Sequence, residues 1–199
     1  MAAAVEDLGS KRARVVALVE RYAPAGVELI SRAEIDALGS RAILIDCRTA
    51  AERGVSTLPN AVSRDEFERA RGAEAALAEE RWVVPYCTVG MRSGEYALEL
   101  QRQHALRGLR VRNGEGVLLW SLDGGGLVGP DGKATSRLHT FAPRFTIVRA
   151  DVQAVQFAGV GLMGVFAVMR EGAVRALRRH AARTPPGGGT LAPSDGSGG

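Results

Sequence analysis

Two short apolar runs, residues 42–45 (AILI) and 82–86 (WVVPY), constrain the fold of this chain most. Each is rich in aliphatic or aromatic residues and too short for a helix of its own. Runs of this kind read as buried strands. Pro85 weakens the second run but is tolerated near a strand end. Helix-prone segments surround them. Residues 12–22 space Val15, Val16, Leu18 and Val19 as a helix does, until Pro24 and Gly26. Ser31 with Glu34 forms a capping-box pattern for a short helix through Leu38. Residues 64–81 favour helix with a break near Gly72, and 93–104 form an amphipathic helix carrying Tyr96, Leu98 and Leu100. A third strand is expected at 109–111 and a further helix at 117–120. Strands alternating with helices predict an α/β fold with a central parallel sheet.

Composition sets the scale. The chain has 199 residues, 46% hydrophobic and 24% charged, enough for one ordinary domain with a sizeable core and too apolar for a disordered chain. Two cysteines, Cys47 and Cys87, exclude a disulfide scaffold and a Cys-rich zinc module. His104, His139 and His180 lack metal-ligand spacing, so no metal and no cofactor are expected. Free thiols point to a reducing, intracellular compartment, the cytoplasm or an organellar stroma or matrix. The N-terminal MAAAVEDLGSKRAR has no apolar signal core, and Glu6 and Asp7 speak against a transit peptide. Most of the net charge of +4 comes from the C-terminal quarter, where Arg149, Arg170, Arg175, Arg178, Arg179 and Arg183 face Asp151, Glu171 and Asp195. That cluster is short and has no interleaved aromatics. It reads as a solvated helix end, and no nucleic-acid partner is expected.

In open α/β sheets, ligands bind beyond the carboxyl ends of the strands. Asp46-Cys47-Arg48 follows one strand and Cys87 follows the other, so both groups are expected at the same sheet edge. The informative segment is Cys87-Thr88-Val89-Gly90-Met91-Arg92-Ser93. Successive amides in such a turn can form an anion-binding nest. A helix starting near Ser93 adds the positive end of its dipole, and Arg92 adds a permanent charge. Together they favour a thiolate at Cys87, and the thiolate is the nucleophile. Gly90 permits positive φ within the turn. No His flanks the cysteine, so a Cys–His pair is not indicated. A buried structural cysteine is the competing reading, and it is stronger for Cys47, which continues a buried strand. Cys47 can act as a resolving thiol only if the two sulfurs lie close together.

Residues 152–169 carry no charge, and 157–169 are wholly apolar or Gly. Leu162, Val165, Phe166, Met169, Ala173 and Leu177 share a helical stripe, with Arg175, Arg178 and Arg179 largely opposite. Two readings of 152–180 stay open: a helix packed on the domain or on a partner, or an interfacial membrane anchor. Residues 184–199 (TPPGGGTLAPSDGSGG) are expected to form a disordered tail.

Taken in order, these motifs make residues 26–146 resemble a single-domain rhodanese-like (sulfurtransferase) module. Asp46-Cys47-Arg48 resembles the family's Asp-x-Arg, and Glu52 its following acidic residue. Thr57-Leu58-Pro59-Asn60-Ala61 stands where the family usually has His-Ile-Pro-Gly-Ala. Cys87, Gly90, Arg92 and Ser93 match Cys-x-x-Gly-x-Arg-Ser. Gly116 and Trp120 match part of Gly-Gly-x-x-x-Trp, with Glu115 replacing the first Gly. The resemblance implies a rhodanese-like parallel sheet flanked by helices, here with an N-terminal helical segment (1–25) and a C-terminal helical extension (147–183). It also implies that Cys87 accepts sulfane sulfur from thiosulfate or a persulfide and passes it to a thiol or cyanide. The loop Thr88, Val89, Gly90, Met91, Arg92 and Ser93 would hold the anion, with Asp46, Arg48 and Glu52 as supporting residues that hold the sheet edge together. With Thr88 after the cysteine and Arg92 the only loop cation, a low-molecular-weight or protein persulfide is the expected donor rather than the thiosulfate dianion. The related phosphatases have one more residue between Cys and Arg. Here four separate Cys87 from Arg92, which favours sulfur. A non-catalytic docking or regulatory module on the same fold is the alternative.

Overall fold

The apolar runs become neighbouring strands, β2 (Ala42–Asp46) and β4 (Trp82–Tyr86), in the computed structural model, which describes residues 7–157. They pair in parallel along their whole length, from Ala42↔Trp82 to Asp46↔Tyr86. β3 (Val62–Ser63) joins β2 and β5 (Arg110–Val111) joins β4, giving a four-stranded parallel sheet in the order β3-β2-β4-β5. A separate parallel pair is formed by β1 (Leu29–Ile30) and β6 (Asn113–Gly114).

Alternation along β2 and β4 sends side chains to two different helical layers. Leu44, Val84 and Tyr86 pack with residues of α1 (Leu8–Tyr22), α2 (Arg32–Leu38) and α7 (Val117–Leu122), among them Val15, Val19, Ile35, Leu118 and Leu119. Ile45, Cys47, Val83 and Cys87 point the other way. They meet Phe67 of α4 (Arg64–Arg69), Ala73 and Ala76 of α5 (Gly72–Ala78), and Tyr96, Ala97 and Leu100 of α6 (Met91–Gln103). The expected α/β class, with a parallel sheet flanked by helices, is therefore the one observed. The Ser31/Glu34 capping box forms, and Thr49/Glu52 forms a second one that starts α3 (Ala50–Arg53). In both, side chains satisfy N–H groups that the first helical turn leaves unpaired.

The boundary expected at residue 146 does not hold. Residues 147–157, assigned from sequence to a helical extension, contain no helix. Gln153–Val155 is instead a strand, β8, paired in parallel with β7 (Arg137–His139). Its ladder is extended by bonds from Gln153 N to Ser136 O and from Thr140 N to Val155 O. Leu138, Phe145 and Ile147 are buried with the α1/α7 layer. A short uncharged apolar run has no period long enough to separate a strand from the first turns of a helix. The stripe from Leu162 to Leu177 and the tail at 184–199 lie outside the described residues. Among the described residues, no helix is long and apolar enough to cross a membrane.

Leu138 is fully buried, so Leu138→Ala is expected to cost about 2–5 kcal/mol. Because it sits in the common core, thermal unfolding of the variant should remain one transition at lower temperature. A separate early melting step would show that residues 137–157 are not part of the domain.

Candidate active site

Cys87 leaves the carboxyl end of β4 and is buried, at 1% exposure. Of the residues from Cys87 to Ser93, only Met91 is exposed. Gly90 turns the chain with φ of 82°, a left-handed conformation, and caps α6 without any side-chain hydrogen bond. Asn113 of β6 clamps this turn, its Nδ2 donating to Gly90 O at 2.8 Å. Gly116 (φ 104°) allows a close approach to the loop: a Cβ there would lie 2.5 Å from Thr88 O. Val117 N then donates to Cys87 O at 2.8 Å, tying the start of α7 to the start of the loop. Among the described residues, no amide of residues 88–93 donates to a backbone carbonyl, and the buried Ser93 hydroxyl has no partner. This is the donor arrangement that an anion at a helix N-terminus uses.

Arg92 does not extend freely over the loop. Its NH1 and NH2 donate to Glu52 Oε2 and Oε1 at 2.8 and 2.9 Å, and NH2 reaches Thr88 Oγ1 at 3.3 Å. Glu52 Oε2 also accepts from Thr49 N and Thr49 Oγ1, both at 2.9 Å. His139 Nδ1 lies 3.5 Å from Glu52 Oε1. Burial opposes ionisation of Glu52, but bonds from Arg92 and His139, the Arg92 charge and the Thr49 amide outweigh it. They hold the carboxyl far below its ordinary range. Burial likewise opposes the Arg92 charge, yet the bonds and charge of Glu52 outweigh it and raise its pKa. Phe141, itself at φ 63°, stands with its ring 5.4 Å from the guanidinium carbon, and His139 stacks on Phe157 at 4.4 Å. Residues 137–157 thus close over the Glu52–Arg92 pair.

Asp46 and Arg48 form a different cluster. Arg48 is fully buried and bonds Asp46 through Nε (2.9 Å to Oδ1) and NH2 (2.6 Å to Oδ2), with a further bond from NH2 to Ser56 O at 2.7 Å. Tyr86 OH donates to Asp46 Oδ2 at 2.7 Å and accepts from Leu58 N at 3.1 Å, while Thr57 Oγ1 lies 2.7 Å from the same hydroxyl. Thr57 therefore anchors the 57–61 stretch to the sheet, and Asn60 supplies the left-handed turn (φ 59°) that a Gly would otherwise make. Asp46 and Arg48 bond to each other where β2 ends, while Glu52 caps α3 and pairs with Arg92. Cys47 sits beside Cys87 in the apolar layer, where burial pushes its thiol well above the ordinary value.

The structure brings Cys87, Thr88, Arg92, Ser93 and Glu52 together at one place, with Asp46 and Arg48 at the end of the neighbouring strand β2. Asn113, His139 and Phe141 escaped the sequence reading. His139 was visible only as a histidine without ligand spacing, and the other two gave no local signal. A small half-open crevice, lined by residues such as Ile35, Leu44, Val84, Tyr86 and Trp120, lies on the sheet face opposite Cys87 and includes none of the loop.

No family model and no curated protein matches the chain. Solved structures do resemble it. A thiosulfate sulfurtransferase from Pseudomonas aeruginosa is 24% identical over 63% of this chain and 23% of its own, with a TM-score of 0.43. A rhodanese-related protein from Thermoplasma volcanium is 19% identical over 51% of this chain and 97% of its own, at 0.38. A Rhodopseudomonas palustris protein of unknown function, described as a possible tyrosine phosphatase, is 20% identical over 63% and 97%, at 0.39. This chain thus spans under a quarter of the Pseudomonas protein and nearly all of the other two.

Glu52→Gln leaves Arg92 buried without its counter-charge, and removing one partner of a buried pair costs about 3–5 kcal/mol. Because the folded pKa of Glu52 lies below its unfolded value, its contribution is complete above that value, about 4.3, and is lost as pH falls below it. Urea midpoints measured from neutral to acidic pH should therefore show the largest gap between wild type and variant near neutrality, closing in acid. A constant gap would contradict the assignment.

Proposed function

We propose that the chain is a rhodanese-like sulfurtransferase that carries sulfane sulfur as a persulfide on Cys87 and passes it to a thiol acceptor. One observation carries the reading. A cysteine at the end of a central parallel strand opens a loop whose amides at 88–93 serve no backbone carbonyl among the described residues, and the loop runs into the 13-residue helix α6. The Cys87 thiolate attacks the outer sulfur of a donor persulfide, the donor's S–S bond breaks, and its thiolate leaves. An acceptor thiolate then attacks the outer sulfur now on Cys87, and the Cys87 thiolate is restored. This is a two-step covalent cycle. The loop amides and the α6 terminus hold the anionic outer sulfur. Glu52 already engages Arg92, which argues against strong binding of a dianion such as thiosulfate and favours a persulfide donor.

The burial of Cys87 favours a second reading, a docking module in which the same loop holds a partner's anionic group and no covalent step occurs. Intact-mass measurement separates the two. After incubation with glutathione persulfide, the sulfurtransferase gains one sulfur atom, loses it to cyanide, and gains none as Cys87→Ser. Thiosulfate should charge it less completely. No adduct from any sulfur donor would overturn the reading and leave the docking module.

A further inference from the structure

Cys47 is a buried free thiol in the same cluster as Cys87, and this cycle does not use it. The β2–β4 register ends at Asp46↔Tyr86, so Cys47 and Cys87 are the next pair along the two strands. The ladder reaches them, since Cys47 N donates to Tyr86 O at 2.9 Å. Both side chains lie on the α4/α5/α6 face, in one apolar cluster. Adjacent strands run about 4.7–4.9 Å apart, inside the Cα separation of about 4.4–6.8 Å that a disulfide spans. Two thiols side by side on neighbouring strands, with one at the head of an anion-binding loop, form a dithiol pair.

We propose that Cys47 is a resolving thiol that discharges the Cys87 persulfide when no acceptor takes the sulfur, leaving a Cys47–Cys87 disulfide. This rests on the sulfurtransferase reading. The Cys47 sulfur attacks Cys87 Sγ, the bond from Sγ to the outer sulfur breaks, and the outer sulfur departs as hydrosulfide carrying the Cys47 proton. Each cysteine sulfur is oxidised by one electron and the sulfane sulfur is reduced to sulfide, so no external oxidant is needed. A thiol then returns the disulfide to the dithiol by exchange. Burial keeps Cys47 protonated. Discharge is therefore slow beside delivery to a thiol acceptor.

The test charges full-length wild type and Cys47→Ala with inorganic polysulfide under anaerobic conditions, desalts them, and follows intact mass and released sulfide without added thiol. Wild type should lose the added sulfur, release one equivalent of sulfide, and end two hydrogens lighter than the uncharged protein. Its non-reducing peptide map should link the Cys47 and Cys87 peptides. Cys47→Ala should stay charged and release none. A wild type that stays charged as long as the variant, with no linked peptide, overturns the resolving role and leaves the sulfurtransferase reading intact. Failure of both proteins to take up sulfur overturns both. If the variant does not fold, the wild-type peptide map decides alone: a linked peptide supports the pair and its absence rejects it.

Discussion

A carboxylate taken out of water has to be bonded on every side, and Glu52 is that carboxylate here. One of its oxygens completes the capping box that starts α3, and both receive the fork of Arg92 at the start of α6. Its remaining neighbour, His139, comes from β7, far along the chain. Three segments with no local reason to meet are therefore held by one side chain. The pair is costly to bury and still costlier to break on one side. Its value lies in fixing where the Cys87 loop ends and what covers it.

That constraint divides the work within the site. Arg92 looks from sequence like a free cation waiting for an anion, but Glu52 spends its charge and Phe141 covers its face. What remains for a ligand is the set of loop amides, the Ser93 hydroxyl and the dipole of α6. Such donors suit a single negative charge close to the Cys87 sulfur better than a large dianion arriving from solvent. Cys87 itself lies buried in the apolar layer, as a structural cysteine would, so the proposed transfer requires the packing around the loop to open. The same burial sets Cys47 and Cys87 in one apolar layer away from water.

Elements with strong local patterns were legible in the sequence. β2 and β4 are continuous apolar runs, α6 has a helical stripe, and the Ser31/Glu34 pair starts α2. The loop from Cys87 to Ser93 was legible because its residue types are contiguous and each has a backbone consequence. The two- and three-residue strands were not, since β1, β6, β7 and β8 exist only through pairing with distant segments. The reading of 147–157 as helix failed for that reason. Glu52 was legible as a supporting residue but its partner was not, because a carboxylate's spacing from Asp46 says nothing about a guanidinium forty residues away. Asn113, His139 and Phe141 belong to the site only through the fold.

In the proposed carrier, loop amides rather than the apolar layer below hold negative charge on the Cys87 sulfur. A crystal structure of the persulfide-charged protein should then show a second sulfur bonded to Cys87 Sγ and lying within hydrogen-bonding distance of amides among residues 88–93, with the Glu52–Arg92 pair still closed. An outer sulfur turned toward Ile45 and Tyr96, out of reach of those amides, would contradict the proposal.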